Sequence, residues 1–90
     1  MAAVLIDVIV PPVVTSGTPF SCTIAYDTNE EGAIVGISAS AGYTVVPPAV
    51  PAPRGQQSVT LNLVVEGPSG PCRLRFRLGT SGRQRTVRVP

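Results

Sequence analysis

The chain has 90 residues, enough for one small domain spanning residues 1–90, and it contains 9 glycines, 10 prolines, two tyrosines, two phenylalanines and no tryptophan. Turn-forming residues at this frequency favour many short β-strands over long helices. The net charge of +2 hides an asymmetry, because residues 72–90 carry six of the seven arginines and no acid, whereas residues 1–71 carry all five acids.

The first half of the chain contains three strand-like runs. Residues 4–10 are apolar on both faces except at Asp7, which is typical of a strand packed on one side and covered on the other, and a pair of prolines ends this run. Residues 18–26 alternate between apolar and polar side chains, which predicts a half-buried strand. Residues 33–39 form a third run after a polar turn.

The second half contains one weak and three strong strand signals. Residues 44–53 include four prolines, which remove donors from a β-ladder, so we expect short edge segments there. Residues 57–66, 72–78 and 84–89 all alternate, and the glycines of residues 79–82 predict a hairpin turn between the last two.

About seven short strands at hairpin spacing predict an all-β fold, an antiparallel β-sandwich. A small closed barrel is the alternative. It fits the proline-rich middle less well, because closure requires continuous pairing there.

Two stretches resemble the bacterial immunoglobulin-like repeats of large secreted and surface proteins. They are "VTSGTPFSCTIAY" at residues 14–26, with a turn glycine before the second strand, and "VVPPAVPAPRGQQSVTLNLVV" at residues 45–65. The likeness spans about residues 8–89. It implies that the antiparallel sandwich is immunoglobulin-like and that the chain acts as a spacer, display stalk or adhesive module.

Cys22 and Cys72 lie on the second and sixth predicted strands, in phase with the inward apolar residues. Immunoglobulin domains place their inter-sheet disulfide at such positions, so the resemblance implies a Cys22–Cys72 disulfide. The chain departs from antibody domains in having no tryptophan and in having Gly70 two residues before the second cysteine. Two reduced core cysteines are the alternative, since free cysteine is a good small hydrophobe.

The residue types present offer little chemistry. There is no histidine, the commonest general base and transition-metal ligand, and two cysteines alone cannot hold a structural zinc ion. "DTNEEGAI" imitates a calcium loop at Asp27, Asn29 and Glu31, but Ser38 stands where the bidentate glutamate belongs. We therefore expect no enzymatic activity, catalytic residue, metal site, cofactor or small-molecule substrate.

The last two predicted strands place arginines on one face, opposite their inward apolar residues. The outward positions are Arg73, Arg75, Arg77 and, from the paired strand, Arg88. Arg83 and Arg85 lie near the hairpin end. Three interpretations remain open: a solvated surface that discourages edge aggregation, an interface with an acidic neighbour, or a site that captures a polyanion such as an acidic polysaccharide.

The resemblance, together with the absence of catalytic residue types, implies a non-enzymatic structural or interaction module of a bacterial cell-surface or secreted protein, with neighbouring domains or an acidic protein surface as partner. A small virion-surface decoration protein is one alternative. A weak polyanion-binding module acting through the arginine-rich strand face is another. No stretch approaches the roughly 20 apolar residues of a membrane-spanning helix, so we expect no membrane insertion, and the start lacks the positively charged region and cleavage site of a signal peptide.

Overall fold

The computed structural model describes residues 3–90, with the backbone alone described at Gln56, and this range forms eight strands. The strands are β1 (Val4–Ile9), β2 (Phe20–Thr28), β3 (Ala33–Ala39), β4 (Thr44–Val46), β5 (Ala49–Ala52), β6 (Gly55–Glu66), β7 (Gly70–Leu78) and β8 (Ser81–Val89). Gly79 and Thr80 alone connect β7 to β8, and Gly79 has φ 60°, as the first position of a type II′ turn requires.

The strands form two four-stranded antiparallel sheets. Sheet 1 has the order β1-β2-β6-β4, and sheet 2 has the order β5-β3-β7-β8. The predicted sandwich is confirmed and the barrel is wrong, because the strand ladders divide into two separate sheets. There are eight strands rather than about seven because the proline-rich segment contributes two short strands, β4 and β5, one to each sheet.

Two of the segments that pass from sheet 1 to sheet 2 do so at a pair of prolines. The first is the start of the chain, where β1 pairs with β2 and is followed by Pro11 and Pro12. Val13 then forms a parallel bridge with Arg88 of β8. In this bridge the Val14 amide donates to the Arg88 carbonyl (2.9 Å) and the Arg88 amide donates to the Pro12 carbonyl (2.8 Å).

The second such segment is the proline-rich one. β4 pairs with the end of β6, Pro47 and Pro48 follow, and β5 pairs with β3 in the other sheet. The Val46–Pro47 bond is cis, and the Pro48 carbonyl accepts from the Ile37 amide at 2.7 Å. Proline cannot donate to a ladder, so each pair ends one set of strand bonds before the next begins.

The core lies between the sheets and is made of the inward side chains of the alternating strands. The largest buried ones are Tyr26, Phe76, Leu5, Ile24, Leu63, Leu74 and Leu78. Burying each such side chain contributes about 1.5–3 kcal/mol to folding. Among these side chains Tyr26 carries a hydroxyl, and its Oη donates to the Pro53 carbonyl at 3.1 Å, so the burial of Tyr26 leaves no unpaired donor.

The outer face of β1 differs from the expectation that it is covered. Val4, Ile6 and Ile9 are 43%, 43% and 61% exposed. A register shift between Leu5 and Asp7 adds a residue to β1, so its buried positions are not strictly alternate. The apolar residues on this face are therefore not core residues of the described chain.

Candidate functional site

The candidate site is the outer surface of β7 and β8, with four exposed arginines that we call the arginine face: Arg73, Arg75, Arg77 and Arg88. The alternation of β7 turns its three arginines outward while Cys72, Leu74, Phe76 and Leu78 turn inward. Arg88 joins them because it lies opposite Pro71 in the β7–β8 ladder. The sequence therefore predicted the orientation of all four side chains, and their binding role stays a prediction.

Small and polar residues flank the arginines on both neighbouring strands. Arg75 lies between Ser38 of β3 and Gln84 of β8, and Arg77 lies between Gly36 and Gly82. Between the arginines and these neighbours lie three shallow hollows of about 220, 370 and 250 Å³, and Arg75 lines all three. Arg75 is thus the centre of the arginine face, with a hydroxyl and an amide beside it.

The arginine face has no acidic counterpart within residues 3–90. The two ion pairs there use other arginines, namely Arg54 with Glu31 at 4.0 Å and Arg85 with Asp7 at 2.9 Å. The acids lie on β1, on β2 and the turn after it, and at the end of β6. The outer face of sheet 2 therefore carries uncompensated positive charge, which attracts acidic groups and repels a like surface.

Beside the arginines, the same outer surface has an apolar region on β3 and β5. Ile34, which is 58% exposed, lies opposite Pro51 in the β3–β5 ladder. They line a hollow of about 340 Å³ together with Ala49 and Val50. Sequence reasoning did not predict this region, because the residues that β5 contributes to it belong to the proline-rich segment.

Arg85 lies in a different place from the other arginines. It sits opposite Leu74 in the ladder, on the inward phase of the edge strand β8. Its Nε donates to the Val8 carbonyl at 2.9 Å, its Nη2 donates to Asp7 Oδ1 at 2.9 Å, and Ser81 Oγ accepts from the Leu5 amide at 3.0 Å. Sequence reasoning missed this link between the sheets. The signal was Asp7, the single charge in an apolar strand.

The two cysteines are fully buried, as their phase predicted, but both thiols are free. The expected disulfide is therefore absent from this structure. Burial raises the pKa of the Cys22 thiol to about 11. Burial also raises the pKa of Cys72, against the opposing effect of its hydrogen bonds with Ser40. Each thiol is thus packed as a neutral core group, and neither is poised as a nucleophile.

The polar turn after β2 closes on itself. Thr28 is buried, and its Oγ1 accepts from the Glu30 amide at 3.1 Å. Within the described residues, no three His, Cys, Asp or Glu side chains come together as a group that could hold a metal ion. In the same range no helix is long and apolar enough to cross a membrane.

Neither a comparison with protein-family profiles nor one with curated proteins finds a match. Among solved structures, the chain is similar to the crystal structure of the periplasmic chaperone SfaE, with a TM-score of 0.53 and 10% sequence identity. The match covers 92% of this chain and 55% of that one, so this chain spans little more than half of the chaperone's length. At this identity the likeness concerns the fold alone, and it agrees with the predicted immunoglobulin-like sandwich.

Proposed function

We propose that this domain is a non-enzymatic interaction module of a bacterial surface or secreted protein, and that the arginine face binds an acidic protein surface. The observation that carries the proposal is a row of exposed guanidinium groups without acidic partners. Alternate residues of a strand are about 6.6 Å apart, so Arg73 and Arg77 lie about 13 Å apart. That length suits the acidic side chains of a strand or loop on a neighbouring domain.

The apolar hollow beside the arginines favours a protein partner over a polyanion. Protein interfaces combine an apolar centre with arginine, which is enriched at such sites. Ile34 and Pro51 supply the apolar part, and Arg75 supplies bidentate donors for carboxylates. A polysaccharide or nucleic acid would use the charges and leave Ile34 without a role, and no aromatic residue lies on the arginine face to stack bases or sugars.

The test compares two probes on the same variants. Short acidic peptides containing Leu or Phe and immobilised heparin are each presented to the parent, Arg75→Ser, Ile34→Ser and the charge-matched control Arg54→Ser. We expect the peptides to bind the parent, and both Arg75→Ser and Ile34→Ser to weaken that binding about tenfold, while Arg54→Ser changes it little.

Other results would contradict the proposal. If the peptides do not bind while heparin does, and only Arg75→Ser reduces heparin retention, the polyanion alternative replaces the protein partner. If Arg75→Ser and Arg54→Ser act alike on both probes, the effect is one of net charge, and the arginine face is not a specific site.

A further inference from the structure

The long strand β6 has one edge that no other strand covers in the described part of the chain. β2 pairs with residues 55–63 of β6, whereas β4 pairs only with residues 64–66 on the opposite side. β5, the next strand along the chain, belongs to sheet 2. Nine residues of β6 therefore have a neighbour on one side only.

The direction of the backbone groups on this edge follows from one hydrogen bond. The Val65 carbonyl accepts from the Gly17 amide at 2.9 Å, so Val65 directs its groups toward the β2 side. Backbone groups of an antiparallel strand alternate between its two neighbours. The amides and carbonyls of Ser58, Thr60 and Asn62 therefore point to the open edge, where residues 3–90 supply no partner.

The edges at β1, β4 and β5 are protected, and this one is not. Arg85 and Ser81 cover the β1 edge, β4 is three residues long, and β5 contains Pro51. By contrast, residues 55–65 contain neither a charge nor a proline. Val59 and Leu61 on the inward face of β6 are only partly buried, as is Val50 on β5 across the core, so an added strand would cover them.

We propose that a second copy of this chain fills the open edge, with β6 pairing antiparallel to β6 of the partner about a two-fold axis at Val59. In that register residue 55 lies opposite residue 63, so all nine open residues pair and none meets β4. Ser58 lies opposite the partner's Thr60, two side chains that hydrogen-bond well across strands. Four hydrogen-bonded residue pairs give roughly eight new backbone bonds.

The charges at the two ends of β6 select the same orientation. Arg54 precedes the uncharged segment and Glu66 ends it, and both side chains are exposed. Antiparallel pairing brings Arg54 to the end that carries the partner's Glu66, an offset of two residues or about 7 Å along the strand. Parallel pairing would instead place like charges together. The proposed dimer joins the two copies of sheet 1 and leaves the arginine face free, so it is independent of the proposed function.

The test is the mass of the protein in solution across a range of concentration. We expect the parent to rise from 9.3 kDa to twice that value. Ser58→Lys places a charge beside the axis and should raise the dimer Kd about 30-fold or more. Ser21→Lys is the matched control. Ser21 is exposed on the same sheet, but it belongs to β2 and pairs with Asn62 on the side of β6 that faces away from the open edge.

Two further readouts identify the surface. The amides of Ser58, Thr60 and Asn62 should exchange about tenfold more slowly in concentrated than in dilute solution, with Leu61 as internal reference. Arg54→Glu should weaken the dimer, and the swap Arg54→Glu with Glu66→Arg should restore it. A parent that stays monomeric to about 1 mM, three edge amides unaffected by concentration, or a dimer equally stable in Ser58→Lys and Ser21→Lys would each overturn the proposal.

Discussion

Replacing Arg85 with methionine tests the link between β1 and β8. Methionine keeps the apolar stem but removes the bonds to the Val8 carbonyl and to Asp7. A hydrogen bond involving a charged group contributes about 1.5–3 kcal/mol when buried. Here the Arg85 and Asp7 side chains are 35% and 53% exposed, so water competes, and the ion pair itself is worth only about 0.2–1 kcal/mol.

Together the two bonds give an expected loss of about 1.5 kcal/mol in the free energy of unfolding. For a domain of this size that corresponds to a fall in Tm of roughly 6–12 °C. Arg83→Met is the control, since Arg83 is exposed on the same strand and its Nη1 reaches only the adjacent Gly82 carbonyl. It should change stability by less than about 0.5 kcal/mol.

Urea denaturation followed by far-ultraviolet circular dichroism measures both variants, and Asp7→Asn completes a double-mutant cycle. We expect a coupling of about 0.5–1 kcal/mol between Arg85 and Asp7, reduced by 1 M salt. Equal effects of Arg85→Met and Arg83→Met would refute the reasoning, because they would mean that the bonds from Arg85 to β1 add nothing to the stability of the fold.

Three other predictions concern the core and the proline-rich segment. The raised pKa of Cys22 makes its ionisation unfavourable in the folded state, so the contribution of the neutral thiol to the free energy of unfolding should be complete below pH 9 and should fall by about 1.4 kcal/mol per pH unit between pH 9 and 11. Urea denaturation at these pH values measures the fall. A Cys22→Ala variant whose stability depends on pH as strongly as that of the parent would contradict the prediction. Unfolding without reductant should release two thiols to a colorimetric reagent, and a disulfide would release none. The amide of Val46, directed to Val64 of β6, should exchange at least about tenfold more slowly than that of Val45, which points away, and equal rates would show that β4 is not paired as described.

Alternation along the chain was enough to predict the strands that pack against the core. It identified the regions of β2, β3, β6, β7 and β8, the burial of both cysteines and the outward direction of the arginine face. These features depend on one period of two residues and one apolar core, which local sequence records directly.

Features that depend on which strands become neighbours were not predictable in this way. The prolines predicted an edge at residues 44–53, but the local sequence does not indicate that β4 joins one sheet and β5 the other. Arg85 alternates in phase with the core residues but is only partly buried. It lies on β8, the edge strand of its sheet, and its side chain extends to β1 of the other sheet. The phase of Cys22 and Cys72 predicts that they are buried, and it carries no information on whether their sulfur atoms are bonded.

The passage of the first segment from β1 to the parallel bridge at Val13 has a mechanical consequence. Residues 12–14 run parallel to the end of β8. A force that pulls the two ends of the chain apart therefore pulls these two segments in opposite directions along their length, so that one slides past the other. The two bonds between Arg88 and the segment at Pro12 and Val14 then resist together and cannot open one at a time. The domain should therefore resist tension up to a threshold force and then yield abruptly.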